Sequence, residues 1–162
     1  MNPPARPPDS RFLDTRVPAP IIAALLGGAM KAYRMLGEVG IDPTPLRMHL
    51  GITLAQFSAL LVLAAVASLW RARTTIDPLH PARATALVTV GAFRFTRNPM
   101  YLSLLLLLVA YAIRIDSLLV WLAPLAYFAY VTRFQILPEE RILRGKFGEA
   151  FDAYRAGTRR WI

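Results

Sequence analysis

An apolar stretch from Leu50 to Trp70, interrupted only by small polar residues, constrains the fold of this chain more than any other feature. As a helix rising about 1.5 Å per residue it would reach roughly 30 Å, one hydrocarbon thickness of a bilayer. Three shorter apolar stretches run from Val17 to Met30, from Met100 to Ile113 and from Ser117 to Val131. Hydrophobic residues make up 56% of the chain, above the globular average of about 45–50%. The sequence therefore predicts an all-α integral membrane protein with about four transmembrane helices.

The two shorter stretches in the second half of the chain are bracketed by polar islands. Each stretch as a helix covers only about 21–23 Å, which favours a hairpin whose tight turn is Arg114-Ile115-Asp116. One island, Arg97-Asn98-Pro99-Met100-Tyr101, precedes the hairpin, and the other, Pro138-Glu139-Glu140-Arg141, follows it. Ionisable groups at a membrane boundary usually serve a site. The bracket predicts one site where the two ends of the hairpin meet.

The two ends of the chain differ in composition. Prolines and charges are interspersed through residues 1–16, which predicts a flexible tail ahead of a single domain at residues 17–162. The first apolar stretch lacks a convincing cleavage site, so an uncleaved helix is expected there rather than a signal peptide. After Pro138, a stripe of apolar residues at spacings of three and four predicts a C-terminal amphipathic helix: Leu143, Phe147, Phe151 and Tyr154.

The net charge of +9 is distributed between the apolar stretches rather than gathered on one face, which argues against a nucleic-acid partner. In a four-span chain, the loop from Arg71 to Arg97 and the segment from Arg133 to Arg160 fall on one side. The positive-inside rule places that side, both termini and both polar islands in the cytoplasm, in an inner or cytoplasmic membrane. The chain has no cysteine and two histidines, so no thiolate or histidine metal site is expected.

Several motifs in fixed order resemble the isoprenylcysteine carboxyl methyltransferase and phospholipid methyltransferase superfamily of integral membrane enzymes. The resemblance covers roughly residues 71–162 and is carried by Thr85 to Phe93, Arg94 to Tyr101, Glu139 to Leu143, Phe147-Gly148 and Tyr154. It implies that the enzyme uses S-adenosylmethionine, held by residues 85–162. Carried over position by position, it implies cofactor-binding roles for Leu87, Val88, Phe93, Asn98, Pro99, Met100, Tyr101, Glu139 and Glu140.

Two positions depart from that family. Asn98 stands where the family often has histidine; asparagine can still donate and accept hydrogen bonds but cannot transfer a proton there. Gln135 stands four residues before Glu139, where isoprenylcysteine-type enzymes have an arginine for the substrate carboxylate, and Arg133 lies nearby on another helical face. Arg133 and Gln135 are therefore the candidate substrate-binding residues, and the identity of the acceptor stays open.

Taken without the resemblance, each residue also has a structural interpretation. Asn98-Pro99 would suit the start of a helix, Tyr101 an interfacial aromatic belt, and Glu139-Glu140 the first turn of a helix. Methyl transfer from a sulfonium requires alignment and exclusion of water, which a cleft in a membrane provides without a metal. Glutamates could bind the cofactor's ammonium or ribose hydroxyls, and an aromatic ring could contact its adenine.

We therefore expect an integral membrane methyltransferase that uses S-adenosylmethionine. Its partners would be membrane lipids and a hydrophobic or lipid-like acceptor, modified by carboxyl O-methylation or amine N-methylation. Two other interpretations stay open: a membrane reductase of related fold that uses NADPH, and a non-enzymatic scaffold whose basic face binds anionic lipids.

Overall fold

The computed structural model describes residues 17–73 and 85–162, so the predicted tail at residues 1–16 lies outside the described residues. Part of the loop from Arg71 to Arg97 lies outside them as well. The regular secondary structure of the described residues is helical, with no strand. The helices are α1 (Ala19–Leu36), α2 (Pro45–Arg71), α3 (Pro99–Arg114), α4 (Leu122–Val131), α5 (Leu137–Phe147) and α6 (Glu149–Gly157). The all-α prediction is confirmed for this part of the chain.

Helix α2 is the best candidate for a membrane span. It has 27 residues, and it alone among the described helices is long and apolar enough to cross a bilayer by length and composition. Helix α3 is a shorter apolar helix of 16 residues. The count of four spans therefore stays a prediction.

Helix α3 lies at the centre of the bundle, in contact with α1, α2 and α4. Its contact with α2 is close: the Ser58 hydroxyl donates a 2.6 Å hydrogen bond to the Ser103 carbonyl. At Gly51, a Cβ atom would lie 3.1 Å from the Ala110 carbonyl oxygen. Small residues at such positions let helix backbones approach one another. The first island, which leads into α3, is thereby fixed to the rest of the bundle.

The turn predicted between α3 and α4 is confirmed, and it is tied to the loop between α1 and α2. Ile115 pairs with Ile41 in an isolated antiparallel bridge, and the Asp42 amide donates to the Arg114 carbonyl at 2.9 Å. Arg47 also lies 2.7 Å from Asp42. These contacts close the end of the bundle opposite the polar islands.

The second arm of the hairpin is longer than its apolar stretch. A 3-10 turn (Leu119–Trp121), α4, a π-helical turn (Thr132–Ile136) and α5 follow one another without a break. Helix α5 begins at Leu137 with Pro138 in its first turn, as the sequence predicts, but it continues directly from the π-helical turn instead of starting from a loop. Proline has no N–H to donate to the carbonyl four residues back, and the wider π-helical turn just before it accommodates that loss. Glu139 and Glu140 therefore do not cap a free helix end.

The C-terminal segment forms two helices, so the prediction of one amphipathic helix is wrong. The chain breaks at Gly148, where φ is 53° and ψ is −127°. That backbone conformation favours glycine, because a Cβ atom would be strained against the residue's own backbone. Beyond the break, α6 buries Phe151 against the bundle. Residues 158–162 then run back towards the start of α3.

Candidate functional site

The structure brings the two polar islands together at one end of the bundle. The Tyr101 hydroxyl, in the first turn of α3, donates a 3.0 Å hydrogen bond to Glu139 Oε2 on α5. Arg97, just before α3, donates a 2.7 Å hydrogen bond from Nη2 to Glu140 Oε1. The ends of the hairpin therefore meet through two side-chain pairs, as their placement in the sequence predicts.

Glu140 is held by two arginines. Besides Arg97, Arg160 approaches with both Nε, 3.1 Å from Oε1, and Nη2, 2.7 Å from Oε2. Burial alone would raise the pKa of Glu140, but the hydrogen bonds from Arg160 and Arg97 outweigh it and hold that pKa below its usual value. Both Arg97 and Glu140 are largely buried. Glu140 is therefore an ionised structural carboxylate whose oxygens are both occupied.

Glu139, the adjacent residue, has a different environment. Burial is the main cause that raises the pKa of this carboxyl to about 7; the Tyr101 hydrogen bond lowers the pKa and the negative charge of Glu140 raises it further. No arginine or lysine of the described chain contributes to that shift. A cation placed beside Glu139 would therefore be stabilised, because it would compensate a carboxylate whose charge is otherwise unfavourable.

The segment ahead of α3 is fixed between α2 and α6. Gly91 has a φ of 64°, and a Cβ atom there would overlap the Ser68 hydroxyl oxygen at the end of α2. From Gly91 to Arg94 the chain makes a 3-10 turn, and the Tyr154 hydroxyl of α6 donates a 2.6 Å hydrogen bond to the Phe93 carbonyl. In the same segment, Val88 is buried and Leu87 is half-buried. These contacts place the predicted cofactor-binding segment beside the islands.

Asn98 occupies the N-cap position of α3, but its side chain does not cap the helix. Its side-chain amide donates a 2.9 Å hydrogen bond to the Arg160 carbonyl, and its side chain makes no capping bond to α3. Pro99 is the buried first residue of α3, and half-buried Met100 follows it. The capping interpretation of the Asn98 side chain is therefore wrong, since this side chain connects α3 to the C-terminus of the chain.

The two candidate substrate-binding residues lie in different surroundings. Gln135 is fully buried in the π-helical turn, and its Nε2 donates a 2.7 Å hydrogen bond to the Val17 carbonyl. Its Oε1 is buried without a hydrogen-bond partner. Arg133 is half-buried, with its guanidinium 5.2 Å from the centre of the Phe134 ring. The structure therefore leaves an unused hydrogen-bond acceptor at Gln135.

Three contributors to this end of the bundle could not be identified from the sequence. Arg160 was one of many cations with a topological interpretation, yet it pairs with Glu140. The Tyr127 hydroxyl donates a 3.4 Å hydrogen bond to the Tyr101 carbonyl in the first turn of α3. The Trp161 indole N–H donates to the Thr132 hydroxyl at 3.2 Å. The one sequence signal for such a partner is the excess of arginine near the C-terminus, because paired glutamates need cations beside them.

An open apolar groove of about 600 Å³ runs between α1, α2 and α3. Small residues such as Gly27 and Ala55 form its walls, and Leu104 lies along it, one helical turn from Tyr101.

Among the described residues, no cluster of three or more His, Asp or Glu side chains could hold a metal ion.

Comparison with known proteins identifies the family. A sequence model of the phospholipid methyltransferase family matches residues 46–150, well over half of the chain. An uncharacterized protein of Haemophilus influenzae is 40% identical over 63 residues, which are 39% of this chain and the whole of that protein. No solved structure matches the chain. The chain belongs to the phospholipid methyltransferase family, within the isoprenylcysteine carboxyl methyltransferase-like superfamily of membrane-associated methyltransferases.

Proposed function

We propose that this protein is an integral membrane methyltransferase that uses S-adenosylmethionine and acts on a hydrophobic or lipid-like acceptor at the cytoplasmic face. The observation that carries the proposal is the pair formed by Tyr101 and Glu139, a buried carboxyl with a raised pKa at the meeting point of the two islands. Family membership supplies the reaction class, since members are methyltransferases that generally use this cofactor.

The residues present fit that cofactor. It carries an ammonium group, and Glu139 is a carboxyl whose charge a bound cation would stabilise. When bound, the cofactor supplies a methyl group on a positively charged sulfur. Both oxygens of Glu140 are already bound by arginines. Glu140 would therefore stabilise the structure of the site rather than bind the cofactor.

The other residues of the proposed cofactor site would enclose the cofactor rather than pair with its charge. Phe93 and Tyr101 offer aromatic rings that could contact an adenine. Asn98 lies between these two residues in the sequence. The remaining proposed members are Leu87, Val88, Pro99 and Met100. Apolar walls exclude water, which favours a reaction in which the positive charge of the methyl donor is lost.

Gln135 favours an amine as the acceptor rather than a carboxylate. The orientation of its amide is fixed, because the Val17 carbonyl can only accept a hydrogen bond and must face Nε2. The buried Oε1 therefore needs a donor, and an N–H group supplies one. An ionised carboxylate has only acceptor atoms and could not satisfy Gln135 Oε1. The apolar groove beside α3 would suit the hydrocarbon part of such an acceptor.

Cofactor binding can be tested by calorimetric titration of the detergent-purified protein with S-adenosylhomocysteine and, separately, with NADPH. We expect saturable binding of S-adenosylhomocysteine that Glu139→Gln weakens at least tenfold. Glu149→Gln, an exposed glutamate on α6, is the matched control and should bind normally. Binding of NADPH alone would assign the chain to the reductases, and binding of neither ligand by folded protein would favour the lipid scaffold.

The acceptor class can be tested with a methyl-labelled cofactor and vesicles. We expect label in vesicles containing an aminophospholipid and none in vesicles whose anionic lipid is a fatty acid. Gln135→Arg would fill the unused acceptor position with a cation and should reduce amine methylation. Labelling of the fatty acid by the unmodified protein would contradict the amine assignment while leaving the methyltransferase proposal in place.

A further inference from the structure

The last five residues, Thr158 to Ile162, form a C-terminal strap across the segment that enters α3. The Arg97 amide donates to the Arg159 carbonyl at 3.0 Å, and the Asn98 side-chain amide donates to the Arg160 carbonyl at 2.9 Å. The Thr96 hydroxyl donates to the same Arg160 carbonyl at 3.2 Å. Three consecutive residues that lead into α3, Thr96 to Asn98, are thus attached to the strap.

The side chains of the strap contact the second arm of the hairpin. Arg160 forms its two hydrogen bonds with Glu140 on α5, and the Trp161 indole N–H bonds to Thr132 in the π-helical turn. The Trp161 ring also packs 5.0 Å, centre to centre, from the Phe128 ring on α4. The strap therefore connects the entrance of α3 with both ends of the π-helical turn.

This connection bears on the proposed cofactor site because Glu140 is the residue next to Glu139. Adjacent residues on a helix point about 100° apart, so fixing Glu140 fixes the rotation of α5 and the direction in which Glu139 points. Asn98, on the other side of the site, is held by the same strap. Charge-assisted, two-point contacts between arginine and carboxylate impose geometry more strictly than single hydrogen bonds do.

We propose that the C-terminal strap is part of the methyltransferase site, with Arg160 and Trp161 as positioning residues that hold Glu139 and Asn98 in place for the cofactor. The inference rests on the proposed function. Arg160 acts through Glu140 rather than by touching the cofactor. Trp161 keeps the strap seated against α4 and the π-helical turn.

The chain provides a matched pair of variants for the test. Arg159→Gln and Arg160→Gln remove the same charge from neighbouring positions, but the Arg159 side chain is exposed and makes no hydrogen bond or ion pair with the described residues. Arg160→Lys keeps the charge and loses the two-point contact. Trp161→Phe keeps a ring beside Phe128 and loses the indole N–H.

Two measurements on the full-length, detergent-purified protein separate the outcomes. Calorimetry with S-adenosylhomocysteine should show binding weakened at least tenfold in Arg160→Gln, weakened less in Arg160→Lys and Trp161→Phe, and unchanged in Arg159→Gln. Hydrogen exchange without ligand should show faster exchange in residues 91–101 and 137–147 of Arg160→Gln, with α1 and α2 unchanged. The Arg159→Gln protein should exchange like the unmodified protein.

Unchanged affinity in Arg160→Gln, or faster exchange confined to the strap itself, would overturn the positioning role. If the unmodified protein bound no S-adenosylhomocysteine, the proposed function would fail. The exchange data would then still decide whether the strap holds both islands. General loss of structure in Arg160→Gln would transfer the test to Arg160→Lys and Trp161→Phe, where unchanged affinity and unchanged exchange would overturn the proposal.

Discussion

The Tyr101 hydroxyl donates a 3.0 Å hydrogen bond to Glu139 Oε2 across 38 residues of sequence, joining the first turn of α3 to α5. The two residues lie at opposite ends of a helical hairpin. The neighbouring carboxylate, Glu140, is neutralised by Arg97 and Arg160, whereas the pKa of Glu139 is raised to about 7, chiefly by burial. Two adjacent glutamates therefore lie in different electrostatic environments, one paired with two arginines and one without a cation of the described chain beside it.

The raised pKa of Glu139 predicts that the protein loses stability as the pH rises. Between the unfolded pKa of 4.5 and the folded pKa of about 7, the folded state binds more protons than the unfolded state, so the unfolding free energy falls with increasing pH and levels off above 7. From pH 5.5 to 8 the loss from this group is about 2 kcal/mol. Thermal unfolding in detergent at several pH values measures it.

Glu139→Gln should remove this pH dependence, because glutamine stays neutral and can still accept the Tyr101 hydrogen bond. The variant should match the unmodified protein near pH 5.5 and exceed its unfolding temperature at pH 8. Glu149→Gln should follow the unmodified profile. A Glu139→Gln profile parallel to that of the unmodified protein would show that another group causes the dependence.

Tyr101→Phe should shift the titration of Glu139 to higher pH. The Tyr101 hydrogen bond lowers the pKa of that carboxyl, so its loss leaves burial less opposed. We also expect about 1 kcal/mol lower stability from the lost hydrogen bond, and weaker binding of S-adenosylhomocysteine. The pH midpoint of the stability curve gives the measurement. Tyr111→Phe on the same helix, whose hydroxyl makes no hydrogen bond with the described residues, should leave the midpoint unchanged.

Gly91→Ala should displace the segment that leads into α3. A left-handed φ costs a residue with a side chain about 1 kcal/mol, and here the new methyl group would also overlap the Ser68 hydroxyl oxygen. We expect destabilisation of about 2 kcal/mol, part of which the double variant with Ser68→Ala recovers. Gly28→Ala in α1, where a Cβ meets nothing within 4 Å, should be neutral or slightly stabilising. Equal effects of the two alanines would contradict this account.

The sequence predicts the hairpin well because its signals are local. Apolar stretches define the helices, and a short polar turn at Arg114 to Asp116 separates the two arms. Once the arms pair, the islands at their outer ends must come together, so the meeting of Tyr101 and Glu139 follows from connectivity alone. The presence of a tyrosine, an arginine and two glutamates in the site could be expected as well, because these residues belong to the two islands.

The C-terminal part could not be predicted because its determinants are not local. The apolar stripe from Leu143 to Tyr154 continues across Gly148, so periodicity does not show that the backbone turns there. Pro138 has the position of a helix start, but the π-helical turn before it lets the helix continue. The pairing of Arg160 with Glu140 depends on both the break at Gly148 and the return of the strap. Each of these steps is decided by tertiary packing.

The distribution of arginines predicts that the C-terminus lies in the cytoplasm, and the absence of cysteine makes the topology simple to test. Single cysteines can be placed at Leu118, which is 88% exposed in the turn between α3 and α4, and at Ala156, which is exposed on α6. Intact cells from which the outer membrane has been removed are treated with a membrane-impermeant maleimide. This reagent should label the Leu118→Cys variant. It should leave Ala156→Cys unlabelled until the membrane is opened.

The two positions test different parts of the topology. Labelling of both in intact cells would mean that α3 and α4 do not separate them across the bilayer, which would contradict the four-span arrangement. Labelling of Ala156→Cys alone would invert the topology and place the Tyr101–Glu139 site on the outer face, away from cytoplasmic S-adenosylmethionine. The expected pattern, with Leu118→Cys alone labelled, requires the polar islands and the C-terminal strap to share the cytoplasmic side, because hydrogen bonds from Asn98 and Arg160 join them directly.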